Sequence, residues 1–283
     1  MSFIKKLWNS SPASIYKAIL KKTIYGNDYN YSPKAVIADG KHMNTCMLID
    51  RWERYNRVLK KNKIIDALEV KEKSIFELGC GPLLGWGPIF IFFGAKNFYF
   101  FEPHFNYGIL DAPEIKKNYF KQLYIELVAN YGKKMHFHEF MELLKNQVRE
   151  IDFNKDENID IILSNSVLEH IPKIEVESTI KKLSQISNQN SVSIHSVDHS
   201  PHNKYENDLM NFYNFSKFKT YHALNLLRKN EIKEILINKG FKNTIDYVYR
   251  KQDLQLDKIH NSWINYNKED LEAKVVFYYC KKH

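Results

Sequence analysis

Four ionisable side chains fall within eight residues of the segment "SIHSVDHSPHN": His195, Asp198, His199 and His202. An imidazole titrates near neutral pH. A histidine beside a carboxylate can therefore take a proton from an attacking oxygen or nitrogen while the carboxylate fixes its ring. His170 in "SVLEHIP" adds another imidazole, and Arg228 in "LNLLRKNEIKEILINKGF" adds a permanent cation. His195, Asp198 and His202 are also candidate ligands for a divalent ion. Histidine is a poor partner for magnesium, so no metal is expected.

The second cluster is made of glycine. The stretch "IFELGCGPLLGWG" puts Gly79, Gly81, Gly85 and Gly87 within nine positions of a chain that has only 10 glycines in 283 residues. Glycine loses more backbone freedom on folding than any other residue, so such density marks a tight turn or a close backbone approach. An apolar run ends just before the glycines and a helix-compatible run follows. That arrangement is a strand-to-helix turn, where open α/β sheets bind their ligands. The spacing is Gly-x-Gly-x-x-x-Gly, with Glu77 two positions before the first glycine. Leu84 stands where a dinucleotide fingerprint needs its third glycine, and no Gly-Lys-Ser/Thr follows to make a phosphate loop.

The elements that must position these residues alternate along the chain. Short apolar runs at 73–78, 97–102, 134–138, 159–164 and 191–197 read as strands. Helical patterns lie between them near 86–94, 113–131, 139–147 and 173–188. A helix near 230–239 stops at Gly240. Two further strand-like runs, "FKNTIDYVYR" and "AKVVFYYC", flank a polar insertion. The pattern predicts an α/β fold: a Rossmann-like sheet of seven strands, mostly parallel, with helices on both faces and the last two strands an antiparallel pair.

Residues 1–70 form a helical extension to this domain of 71–283. Short helices are expected up to position 40, broken at Pro12, Gly26 and Pro33. A longer amphipathic helix over 43–68 carries Met43, Met47, Leu48, Trp52, Tyr55 and Leu59 on one face and Arg51, Arg54 and Arg57 on another. Trp52 is expected to pack into the domain. Tyr29, Tyr31 or one of the arginines is expected to border the acceptor pocket, with the extension as its lid.

The glycine motif resembles motif I of the class I S-adenosylmethionine-dependent methyltransferases, Glu/Asp-x-Gly-x-Gly-x-x-x-Gly. The resemblance implies that Glu77, Gly79, Cys80, Gly81 and Gly85 form the cofactor loop. It implies that Glu102 and Pro103, in "FYFFEPH", hold the ribose, and that Glu139, after the expected third strand, lines the adenine. Asp160 opens the fourth strand, and Ser164, Asn165 and Ser166 close it, with Asn165 under the methionine portion. The run "SVLEHI" is similar to the small-molecule members of the class. An H-x-x-D-x-x-D-H segment followed by N-x-x-R resembles a subgroup associated with surface polysaccharides. Here Asn225 and Arg228 match, and the second aspartate is missing.

The cofactor implied is S-adenosylmethionine, leaving S-adenosylhomocysteine as product. The reaction implied is O-methylation of a small polar acceptor, a sugar or modified sugar of capsule or lipopolysaccharide synthesis, phosphorylated or nucleotide-linked. His195 or His199 would be the base and Asp198 its orienting carboxylate. His170 would line the pocket and Arg228 hold the acceptor or brace its loop.

The net charge of +9 raises an RNA methyltransferase as an alternative. The excess is scattered lysine, however, and the Asn/Asp-Pro-Pro-aromatic motif of base methylation is missing. No cysteine lies near the fourth strand for attack on cytosine. A catalytically inactive binding protein of the same fold is the third reading, opposed by the intact Glu77, Gly79, Gly81, Gly85 and Glu102. The 44% hydrophobic and 14% aromatic content suits a large core rather than global disorder. Cys46, Cys80 and Cys280 form no disulfide framework or zinc motif. The sequence shows neither a signal-peptide pattern nor a run of roughly 18 apolar residues, so a cytoplasmic location is expected.

Overall fold

The computed structural model describes residues 31–63, 67–155, 157–200, 209–214 and 224–282. The chain divides into two compact units, one ending at Ile151 and the other beginning at Asp152. Tyr29 and His202 lie outside the described residues.

The first unit opens with α1 (Pro33–Asp39), capped by the Ser32 hydroxyl and ended by Gly40 at φ 67°. Then comes α2 (Thr45–Lys61), where the Asn44 side chain accepts the Met47 N–H at 3.0 Å. Its buried face is Ile49, Trp52, Tyr55, Val58 and Leu59, while Met47 is exposed. Trp52 meets Trp86 and Phe90 edge-on, with ring centroids 6.4 and 5.2 Å apart. Trp86 sits between the last two glycines of the cluster and Phe90 in the helix that follows, so the extension is anchored on the glycine turn and its helix.

Three parallel strands carry this unit: β1 (Ser74–Leu78), β2 (Asn97–Phe101) and β3 (Val148–Glu150). All six residues of α3 (Gly87–Phe92) are buried. A β-carbon on Gly87 would lie 2.6 Å from the Phe98 ring, so glycine lets α3 sit close on β2. The helical stretch over 113–131 contains a π-helical turn, Lys116–Phe120, and ends as α4 (Lys121–Tyr131).

The third strand is not where the sequence pattern puts it. Residues 134–136 are irregular, and α5 (Phe137–Gln147) begins where a strand was expected to end. The alternation of Met135 and Phe137 imitates a strand, but Phe140, Met141 and Leu144 bury one helical face. The true β3 has three residues, of which only Val148 is buried, too short and too polar for alternation to reveal.

The second unit holds β4 (Ile159–Asn165), β5 (Ser187–Asp198), β6 (Asn243–Lys251) and β7 (Ala273–Lys281). Its helices are α6 (Lys173–Ile186), α7 (Leu209–Tyr213) and α8 (Lys229–Asn238). β4 and β5 are parallel, and β7 is antiparallel to both β5 and β6. A separate cluster of Leu209, Phe212, Tyr213, Leu254, Trp263 and Leu271 joins α7 to the insertion between β6 and β7.

The strand order is β3-β2-β1-β4-β5-β7-β6 in a seven-stranded sheet. This is the expected Rossmann-like, mostly parallel architecture with its antiparallel final pair. No described helix is long and apolar enough to cross a membrane.

Candidate functional site

In the first unit, the turn after β1 is built from left-handed backbone. Gly79, Gly81, Leu84 and Gly85 have φ of 73°, 68°, 67° and 50°. Gly79 donates its N–H to the Phe101 carbonyl at 2.9 Å, tying the turn to the end of β2. One residue beyond that strand, Glu102 accepts the Gly81 N–H at Oε2 (3.2 Å) and the His104 N–H at Oε1 (3.4 Å). Pro103 is exposed in the turn that follows.

The second and third glycines of the motif face different surroundings. A β-carbon on Gly81 would meet no atom within 4 Å, so backbone is presented to open space there. On Gly85 the same carbon would lie 2.4 Å from Glu77 Oε2. Glu77 is buried and accepts the Trp86 N–H at 2.9 Å. Burial pushes its carboxyl up to about 8, opposed by the Trp86 hydrogen bond and the positive charge of Arg51. Glu77 thus supports the loop from beneath. Cys80 is buried beside it, and desolvation holds its thiol well above the ordinary range, which removes it as a nucleophile.

The extension reaches the same turns. The Tyr31 ring stands edge-on to His104 at 6.4 Å and to His42 at 6.2 Å, so it flanks the loop that carries Glu102. Arg51 lies one turn of helix before Tyr55, whose ring packs 4.4 Å from Trp86. Tyr31 thus flanks the turn that carries Glu102, and the Arg51 charge acts on Glu77.

Glu139 has a different role from the one expected. It belongs to the first turn of α5, and its Oε2 accepts the His136 N–H at 3.3 Å, so it caps a helix and follows no strand. A residue the sequence did not single out stands at the real end of β3. The half-exposed Tyr107 accepts the Glu150 N–H at its hydroxyl (3.2 Å), with its ring against Phe105 at 5.1 Å. No motif announces it.

In the second unit, both candidate bases on or next to β5 are buried. The Nδ1 of His195 meets the Ser164 hydroxyl at 2.8 Å and its Nε2 meets that of Ser193 at 2.7 Å. Desolvation lowers its pKa to about 3. His199 donates from Nδ1 to the Leu227 carbonyl at 3.0 Å, and its Nε2 faces the Tyr278 hydroxyl at 3.3 Å. Burial and the nearby Arg228 charge hold it well below the usual range. Neither ring has a free nitrogen or a pKa suited to taking a proton near neutrality. Asp198 orients neither of them: its Oδ1 accepts the Ser200 N–H at 2.9 Å.

His170 is partly exposed, in the short turn Leu168–His170 after β4. Asn225 clamps this turn, donating from its side chain to the carbonyls of Leu168 (2.6 Å) and Ile171 (2.8 Å) and from its backbone to that of Glu169 (2.8 Å). Asn165 is the partly buried last residue of β4, and Ser166 follows it at a left-handed φ of 53°. Left-handed backbone at a residue other than glycine is strained and often marks a functional turn. Arg228 is 1% exposed, and its Nη1 donates to the His199 carbonyl at 3.1 Å and the Tyr213 hydroxyl at 2.8 Å.

No family model matches the chain, and no curated protein matches it in sequence. Among solved structures it is similar to a putative S-adenosylmethionine-dependent methyltransferase from Listeria monocytogenes. The identity is 10% and the TM-score 0.42, over 82% of this chain and 99% of that one. It is similar to phosphoethanolamine N-methyltransferase 2 of Haemonchus contortus in complex with S-adenosyl-L-methionine at 11% identity and TM-score 0.44, over 82% and 52%. A third is magnesium protoporphyrin IX methyltransferase of Synechocystis with bound S-adenosylhomocysteine, at 13% identity and TM-score 0.42, over 83% of each chain.

Proposed function

We propose that the chain is an S-adenosylmethionine-dependent methyltransferase whose cofactor lies along the Gly79–Gly85 turn of the first unit. The observation that carries this reading is the pairing of Gly81 with Glu102. A carboxylate at the tip of β2 is held by the amide of a glycine whose Cα faces open space. That is a cradle for a ribose beside an unobstructed backbone, and Leu84 in place of a third glycine argues against a dinucleotide. The cofactor supplies a methyl group on a positively charged sulfur. Tyr31 screens the ribose end from water, and the Arg51 guanidinium adds positive charge at the loop.

The acceptor is a small polar molecule, a sugar or modified sugar, methylated on oxygen. Methyl transfer is an in-line displacement, so the protein mainly aligns the acceptor and removes its proton. His170 is the base in this reading, because its ring is partly exposed and Asn225 fixes its turn. The buried His195 and His199 serve the packing of β5 instead.

Incubation with methyl-labelled cofactor and separate pools of sugar nucleotides and RNA tests the assignment. Label should enter the sugar pool and be lost with Glu102→Ala. Label in RNA alone would overturn the acceptor class, and label in neither pool would count against a methyltransferase active on these acceptors.

A further inference from the structure

Arg228 is the N-cap residue of α8, yet its side chain turns inward among Phe212, Tyr213 and Trp263. The guanidinium carbon lies 5.7, 5.7 and 5.9 Å from their ring centroids. Nη1 holds both of the side chain's acceptors, the His199 carbonyl and the Tyr213 hydroxyl. The buried Nε meets no acceptor, and neither does Nη2, among the described residues. No carboxylate among them pairs with this cation. Aromatic faces attract a guanidinium but do not neutralise it, and an unpaired charge in a dry site is costly to keep.

The unclaimed atoms are a matched pair. Nε and Nη2 form one edge of the guanidinium fork, the geometry that takes two oxygens of a carboxylate or phosphoryl group side by side. The segment that delivers Arg228 is specialised as well. Leu226, two residues earlier, has a left-handed φ of 63°. Asn225, one residue before that, holds the His170 turn through Leu168, Glu169 and Ile171. One short stretch therefore fixes both the candidate base and the cation.

We propose that the Nε–Nη2 edge of Arg228 receives an oxyanion carried by the methyl acceptor, a phosphoryl or carboxyl group, and that Arg228 is the specificity residue for an anionic substrate. The part that concerns the acceptor rests on the methyltransferase reading. The anion site itself does not.

The test is thermal unfolding of the whole protein in sodium phosphate and in sodium acetate, each against sodium chloride of equal ionic strength. The wild type, Arg228→Met and Arg228→Lys are compared, with S-adenosylhomocysteine titrated into each by calorimetry. One of the two anions should raise the wild-type Tm saturably by a few degrees, and which one does so separates phosphoryl from carboxylate recognition. Arg228→Met should lose the shift while matching or exceeding the wild-type Tm in chloride, because an apolar side chain replaces an unpaired buried charge. Arg228→Lys, a cation without the fork, should keep less than half of the shift, and it decides the matter if the methionine variant does not fold. Equal shifts in wild type and variants, or no wild-type shift in either anion, would overturn the proposal. A wild type that shifts with phosphate or acetate but does not bind S-adenosylhomocysteine would uphold the anion site and sink the methyltransferase reading.

Discussion

Gly85 runs so close to Glu77 that a β-carbon on it would lie 2.4 Å from the buried carboxylate oxygen. Gly81, four residues earlier, faces no atom within 4 Å. The two glycines of one motif therefore answer to different constraints, one internal and one external. Gly85→Ala should destabilise the protein by about 2–4 kcal/mol, combining overpacking with left-handed strain. Gly81→Ala should cost only the strain, about 1–2 kcal/mol, yet weaken cofactor binding at least about tenfold. Urea unfolding and calorimetry separate the two effects. Equal stability losses with unchanged binding would contradict this division.

The buried Glu77 makes stability depend on pH. Its carboxyl titrates near 4.5 when unfolded and at about 8 in the fold. The folded state therefore holds the proton more tightly. Its contribution is fully present below 4.5 and is lost progressively as pH rises to about 8. Glu77→Gln keeps an oxygen for the Trp86 N–H and removes the titration. Relative to the wild type, the variant should gain stability steadily across that window in unfolding midpoints measured against pH. A constant difference would contradict a titrating Glu77.

His170 and His195 should respond to alanine in opposite ways. His170→Ala should slow turnover by about 10²–10⁴-fold with stability and cofactor affinity unchanged. His195→Ala removes the ring that meets the Ser164 and Ser193 hydroxyls and opens a cavity, and should cost about 2–4 kcal/mol. His195 titrates at about 3 against an ordinary 6.5. Its share of stability is therefore present above 6.5 and lost as pH falls toward 3. Turnover and unfolding of both variants check the contrast. A His170→Ala enzyme at full rate would remove the base assignment.

The sheet was legible because β1, β2 and β4 are apolar runs with turn residues at their ends, and because Gly240 stops α8. The glycine motif and Glu102 were legible for a related reason: left-handed backbone and a strand-end acid leave marks in residue type. Burial left no such mark. The histidines of "SIHSVDH" read as candidate bases, but they are buried against Ser193 within the segment and against Ser164, Leu227 and Tyr278, which lie far from it in the chain. Glu139 misled because the capping of α5 resembles a strand exit, and Tyr107 stayed hidden because its partner Glu150 belongs to a strand of three residues. The N-x-x-R spacing pointed to Arg228, while its lack of a counterion emerges only from the packed structure.

The central claim is that Glu102 and the glycine turn bind S-adenosylmethionine. Calorimetric titration of S-adenosylhomocysteine into the wild type and Glu102→Ala tests it most directly. The wild type should bind, and the variant should bind about 10- to 150-fold more weakly, the loss of roughly 1.5–3 kcal/mol expected for hydrogen bonds to a charged group. Equal affinities in the two proteins, or no binding to the wild type, would contradict the account.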